Sequence, residues 1–201
     1  MDVTVFGAGG RTGRRIVEAL AREGHAVRAV LRRAGEVPGA AEVLRCDPVR
    51  DPLPGDLGDA VVCAMASGRG NRACSALARG LARRAGLRYV TVAGAGVDVP
   101  GDDKVWLERR FGPLLARMVG EMITDRQREY AVLTLSDLDW TMLRPPRLVD
   151  GSATGRARLT FDRPVSGRVT RADLAETAVA ALRDDGLIHR APFVAEARGR
   201  A

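Results

Sequence analysis

One lysine, two histidines and three cysteines in 201 residues limit at the outset what this chain can do. His25 and His189 lie far apart, and Cys46, Cys63 and Cys74 are an odd, scattered set. Neither a zinc site nor a disulfide framework has support in such spacing. Free thiols of this kind fit a reducing, cytoplasmic setting. Aromatic residues are 4% of the chain and dispersed. Nucleic-acid binding by stacking wants aromatics beside a basic stripe, so no nucleic-acid partner is expected. No apolar run reaches the length of a membrane span, and the first strand starts within two residues of Met1. Neither a membrane partner nor a signal peptide is therefore expected.

What is plentiful is arginine. Lys104 is the only lysine among 32 basic residues, and the net charge is +7. The arginines are spread along polar helix faces, a distribution that suits attraction of an anionic small molecule better than a dedicated polyanion surface. With 201 residues, 46% of them hydrophobic, the length suits a single α/β domain over 1–201.

The N-terminus carries the strongest signal. Val3-Thr4-Val5-Phe6 reads as a buried parallel strand. It runs into Gly7-Ala8-Gly9-Gly10-Arg11-Thr12-Gly13, and a helix follows with Ile16, Val17 and Leu20 on one face and Arg14, Arg15, Glu18 and Arg22 off it. Gly24 is a fitting stop for that helix. A strand feeding a helix through glycines aims free N–H groups and the positive end of the helix dipole at one point, as a pyrophosphate requires. The spacing is G-x-x-G-x-x-G through Gly7, Gly10 and Gly13, because Thr12 stands where G-x-G-x-x-G would need its third glycine. A P-loop is excluded, since Arg14 follows Gly13 where that motif has lysine.

Further strands are expected at 25–31, 42–46, 60–65, 89–93 and 140–144, with a possible closing strand over 188–194. Helices are expected after Gly68 (Ala73, Leu77, Leu81 inward), in two pieces around Gly112-Pro113 (Leu107, Phe111, Leu115, Met118, Met122), from a Thr124–Gln127 capping box, and from Thr170. The link 50–58 is rich in proline and glycine and reads as a loop. The region 147–169 reads as a loop or small hairpin over the cleft. The fold class is thus a Rossmann-type, doubly wound, mainly parallel sheet with helices on both faces. Ligands of such sheets bind at the carboxyl ends of the strands, where Gly7, Gly9, Gly10, Arg11, Thr12, Gly13, Arg32, Arg33, Asp47, Ala64, Met65, Ala66, Gly94, Pro145 and Pro146 gather. The second strand ends in Arg32-Arg33 with no acid at the junction. Arginine there accommodates a 2′-phosphate, which favours NADPH over NADH.

Taken as a set, Val5-Phe6-Gly7-Ala8-Gly9-Gly10-Arg11-Thr12-Gly13, Val30-Leu31-Arg32, Cys46-Asp47, Asp139-Trp140-Thr141-Met142-Leu143-Arg144-Pro145-Pro146 and Thr170-Arg171-Ala172-Asp173-Leu174-Ala175 resemble the atypical short-chain dehydrogenase/reductases. The likeness is to the NAD(P)H-binding, NmrA-like group of the biliverdin reductase B (flavin reductase) type. That resemblance implies Gly10 to Gly13 on the pyrophosphate, Arg32 on the 2′-phosphate, Asp47 at the adenine edge, Ala64 to Ala66 along the ribose, and Pro145-Pro146 against the nicotinamide. The Tyr-x-x-x-Lys pair of many short-chain reductases is missing: Tyr130 is followed four residues on by Thr134. Gly94 stands where such enzymes carry serine. Tyr130 and Ser67 remain as catalytic candidates, and Tyr130, Arg147 and residues 151–158 as candidates for the acceptor side. Direct hydride transfer to a small planar acceptor, a flavin or quinone-like ring, needs little acid–base help. The other reading is a non-catalytic, NmrA-like NADP(H) sensor acting through a protein partner. Either a monomer or a dimer is compatible with the sequence.

Overall fold

In the computed structural model, residues 1–66, 70, 72–103 and 124–197 are described. Strands β1 (Asp2–Phe6), β2 (Ala26–Leu31), β3 (Glu42–Arg45), β4 (Ala60–Cys63), β5 (Arg88–Val92) and β6 (Asp139–Leu143) form one sheet in the order β3-β2-β1-β4-β5-β6. Every pairing in it is parallel. The chain builds outward from β1 to β3, then returns to the other side of β1 for β4. That reversal opens a crevice at the carboxyl ends of β1 and β4, where doubly wound sheets take their ligands. Helices α1 (Arg11–Arg22), α2 (Ala73–Leu81), α3 (helical residues 124–133) and α4 (Arg171–Ala181) complete the layers.

Two cores hold the sheet between its helices, and strand alternation sorts residues between them. Val3, Val5, Val27, Val62 and Val90 face α1 and α4. Phe6, Val61, Cys63, Tyr89 and Met142 face α2 and the end of α3. Ile16, Val17 and Leu20 of α1 are fully buried, each adding about 1.5–3 kcal/mol. The α1 stop is the expected one. Gly24 sits at φ +78°, its N–H reaching Ala21 O at 3.0 Å while the His25 N–H reaches Leu20 O at 3.0 Å. That double bond is a Schellman closure, which only a residue tolerant of positive φ makes cheaply. Thr170 caps α4, its Oγ1 accepting the Asp173 N–H at 2.9 Å. The 50–58 link is a loop, with Leu57 buried from it into the second core.

Three expectations change. Gln127 does not close a capping box on Thr124: its Oε1 accepts the Asp98 N–H at 2.8 Å and its Nε2 donates to Asp98 O at 3.0 Å. A long-range loop with backbone groups to satisfy outcompetes the local cap. The closing strand, β10, is Phe193–Glu196 and starts later than residue 188. The chain leading into it follows the outer edge of β6 through the single bridges Thr141↔Arg190 and, at its own first residue, Arg144↔Phe193. Pro192, with no N–H, prevents a continuous ladder there. Within 147–169 there is no hairpin among the described residues. β7 (Leu148–Val149) pairs parallel with β9 (Val169–Thr170), and β8 (Ala157–Thr160) pairs antiparallel with β10. Ala157 and Leu159 turn toward the α1/α4 core, and burying that side favours a partner beyond the segment over a turn within it. The two helices expected around Gly112-Pro113 lie outside the described residues. No described helix is long and apolar enough to cross a membrane.

Candidate functional site

The glycine loop divides its work between packing and binding. Gly7 has φ +79°, and a Cβ on it would stand 2.6 Å from the Met65 N. A Cβ on Gly13 would stand 2.1 Å from Gly7 O. These two glycines let backbone press on backbone, so that α1 starts directly under the end of β1. Gly10, the N-cap of α1, contributes no side-chain cap, and the first turn holds no acidic residue. The Gly10 N–H bonds Gly7 O at 3.0 Å and the Arg14 N–H bonds Gly10 O at 2.9 Å. The N–H groups of Arg11, Thr12 and Gly13 are left without intrahelical acceptors. In α4 the same end is closed by Thr170, with Asp173 in its first turn. Of these two helices on the same face, α1 is therefore the one open to an anion.

That helix start faces a cavity of about 750 Å³ along the carboxyl ends of the strands. Gly7, Gly9, Gly10, Arg11, Thr12, Arg32, Arg33, Ala64, Met65 and Ala66 line it, ten of the residues expected there. Gly13 packs beneath the loop. Asp47 is not on the lining; its Oδ1 accepts the Val49 N–H at 3.0 Å within its own turn. Gly94, Pro145 and Pro146 are also off the lining, though the chain brings the two segments together: the Ala95 N–H bonds Pro145 O at 2.9 Å. Tyr130 meets Trp140 edge-on, 5.9 Å between ring centroids, and burial pushes its phenol up. It does not line the cavity. Ser67 lies outside the described residues. Arg147 and residues 151–158 are not on the described lining either.

The cavity also has residues that sequence spacing did not suggest. Phe6, Val92, Ala93, Leu148 and Cys46 give it apolar walls, and Arg126 and Arg171 give it two buried cations. Arg126, on α3, is 1% exposed and Glu129, one turn on, is 0% exposed. Their Nη1–Oε2 distance is 2.6 Å. Arg126 also donates to Thr91 Oγ1 at 2.8 Å, to the Cys63 thiol at 3.6 Å and to the Met65 carbonyl. Glu129 takes further bonds from the Tyr89 hydroxyl at 2.7 Å and Thr91 Oγ1 at 2.9 Å. A hydrogen bond from Cys74, with Arg126 nearby, pulls the Cys63 thiol down, and the same bond and burial push Cys74 up. Asp125, just before Arg126, accepts the Cys74 and Ser75 N–H groups at 2.9 and 3.3 Å and so caps α2. A pair spaced i,i+3 on one helix is visible in sequence, but such pairs are common on exposed faces. Only the fold shows that this one is buried behind β4 and β5.

A dinucleotide fits these residues on structural grounds. The uncapped α1 start would hold a diphosphate, and Arg32 and Arg33 are exposed at the end of β2, where an adenosine ribose would lie. The apolar Ala64 to Ala66 and Val92-Ala93 segments offer flat walls toward β4 and β5. Among the described lining residues, the arginines and Cys46 are the only titratable groups, and burial, then Asp51 and Asp47, push the Cys46 thiol up.

A family model described as NAD(P)H-binding matches residues 7–185. The fold is shared with solved structures over nearly their full lengths. An NAD-dependent epimerase/dehydratase by name, from Bacillus halodurans, superposes with a TM-score of 0.79 at 22% identity, over 98% of this chain and 94% of that one. An anaerobillin reductase from Escherichia coli O157:H7 gives 0.76 at 22% identity, over 100% of both chains. A protein from Streptococcus pneumoniae TIGR4 named as an NADH-flavin reductase gives 0.72 at 24% identity, over 98% and 99%. A comparison with curated protein sequences gives no significant match.

Proposed function

The chain belongs to the NAD(P)H-binding family, a group of atypical short-chain dehydrogenase/reductase type, and from that premise we propose an NADPH-dependent reductase that passes hydride directly to a planar, electron-poor ring such as a flavin or quinone. The observation that carries the reading is the lining itself: a diphosphate-ready helix start, arginines at the ribose end, and apolar walls with no carboxylate, histidine, tyrosine or lysine among the described lining residues. A structural neighbour named as an NADH-flavin reductase supports a flavin ring as the acceptor, and a second neighbour is also named as a reductase.

When bound, the nicotinamide supplies a hydride equivalent. The chain's own residues bind and orient. The N–H groups of Arg11, Thr12 and Gly13 hold the diphosphate, and the Arg32 guanidinium takes the 2′-phosphate by charge-assisted hydrogen bonds. The Ala64 to Ala66 segment, fixed from behind by Arg126 on the Met65 carbonyl, backs the ribose. Apolar Val92, Ala93 and Leu148 keep water from the reacting face. Holding two rings in van der Waals register is a large part of what such a transfer needs, and the proton that completes reduction of the ring comes from water.

The test is NADPH consumption by the purified protein, with and without FMN and a panel of quinones, after saturable NADPH binding has been confirmed. Turnover that requires both protein and acceptor supports the reductase. Tight binding without turnover on any acceptor overturns it and leaves the NADP(H) sensor, acting through a protein partner.

A further inference from the structure

Arg171 is the first residue of α4 and is 8% exposed, yet it lines the cavity. Its Nη1 bonds Asp150 Oδ1 at 2.8 Å. Its Nε and Nη2 have no partner among the described residues. Donors on a guanidinium that lines a cavity can serve an entering ligand. The other oxygen of Asp150 lies 3.5 Å from Arg11 Nη1, on the glycine loop. One exposed carboxylate therefore ties together the first residues of α1 and α4, with an anion-ready helix start beside it. The two contacts differ in kind. The Arg171 bond is short and its guanidinium largely buried, whereas Arg11 has a side chain 74% exposed and a loose contact that solvent screens.

Resting on the dinucleotide reading above, we infer that Arg171 is a diphosphate-binding residue: Asp150 holds it facing the cavity, and Arg11 exchanges Asp150 for the incoming diphosphate. Asp150 is then a built-in counter-ion, keeping two neighbouring cations from repelling each other while the cavity is empty. An entering diphosphate replaces it on Arg11 and meets the free Nε and Nη2 edge of Arg171. That edge is a two-donor fork of the kind that reads phosphate oxygens in pairs. Because α4 packs on β5 and Leu148 follows β6 in the chain, both are placed on the side of β1 away from β2, and the phosphate Arg171 takes is then the one farther from adenosine, the β-phosphate of ADP.

The probes are ADP, AMP and NADPH, titrated calorimetrically into wild type, Arg171→Met and Arg171→Lys at two salt concentrations. Wild type should prefer ADP over AMP. Arg171→Met should lose about tenfold or more on ADP and NADPH, change little on AMP, and show a shallower salt dependence for ADP. Arg171→Lys keeps the charge without the fork and should fall between the two; it also carries the test if the methionine variant does not fold. An unchanged ADP-to-AMP preference in a folded variant, or equal losses on both nucleotides, overturns the assignment while leaving the dinucleotide reading intact. Failure of wild type to bind NADPH and ADP at all overturns both.

Discussion

Separating Arg126 from Glu129 should be the most damaging single change near the site, and it can be worked through in numbers. The pair is 1% and 0% exposed with a 2.6 Å contact, so solvent cannot take over for a missing partner. Arg126→Met leaves a carboxylate that still receives Tyr89 and Thr91 but has lost its counter-charge. Breaking a buried pair in this way costs roughly 3–5 kcal/mol. For a domain of this size each kcal/mol lowers Tm by about 2–4 °C, which gives a drop of roughly 6–20 °C. Adding Glu129→Gln removes the stranded charge and keeps an oxygen for the Tyr89 and Thr91 hydroxyls, so the double variant should recover much of the loss. NADPH affinity should not recover with it, because Arg126 also holds the Met65 carbonyl on the cavity wall. The assay is thermal unfolding by circular dichroism on both singles and the double, with NADPH titration on the folded proteins. A single variant costing less than about 1 kcal/mol, or strictly additive losses, would refute the argument by placing the pair in the range of exposed ion pairs.

Arg32→Asp should weaken NADPH by about tenfold or more, the worth of a charge-assisted bond, and NADH far less; equal losses in fluorescence titrations would remove the 2′-phosphate assignment. Burial works against the charge of Asp173, but bonds from Thr154, Thr170 and Gly155 outweigh it and hold its carboxyl below the ordinary value. Its contribution is therefore fully present above the unfolded-state pKa near 4 and is lost as pH falls through the lower folded value. Tm of wild type should drop between about pH 5 and pH 3 more steeply than that of Asp173→Asn, and parallel curves would contradict this. The Cys46 thiol, pushed up chiefly by burial, should alkylate slowly at neutral pH and more slowly still with NADPH present, as mass spectrometry of iodoacetamide-treated protein would show; fast labelling indifferent to NADPH would place it outside the cleft.

The parallel sheet was legible because its signals are local. Glycines after β1, arginines after β2 and a proline pair after β6 each report the end of a strand, and the fold brings the ends together. Arg126 and Arg171 were not legible, because their meaning is not local. Neither is marked out by its own helix, and what sets each apart is a distant partner: the Met65 carbonyl for one, Asp150 for the other. The same physics explains Gln127. Its spacing from Thr124 satisfies a cap, but the Asp98 backbone offers two bonds where the cap offers one. Tyr130, off the described lining, shows the same dependence on distant residues, its ring set edge-on against Trp140.

The lacing of residues 189–193 along β6 has a bearing on how the chain matures. β6 is an edge of the main sheet, and its outer side is engaged by His189, Arg190 and Pro192: the His189 N–H donates to Trp140 O, the Met142 N–H to Arg190 O and the Arg144 N–H to Pro192 O. Arg144, fully buried, is gripped from the same stretch through Ala191 O and stacks on Phe193. A nascent chain released only as far as residue 185 would already hold all six parallel strands, with one flank bare and an arginine lacking half its partners. Bare sheet flanks recruit one another. The interval between emergence of β6 and emergence of β10 is thus the window in which a ribosome-bound chain is most exposed to pairing with its neighbours on a polysome, and synthesis of the last lacing residues closes it.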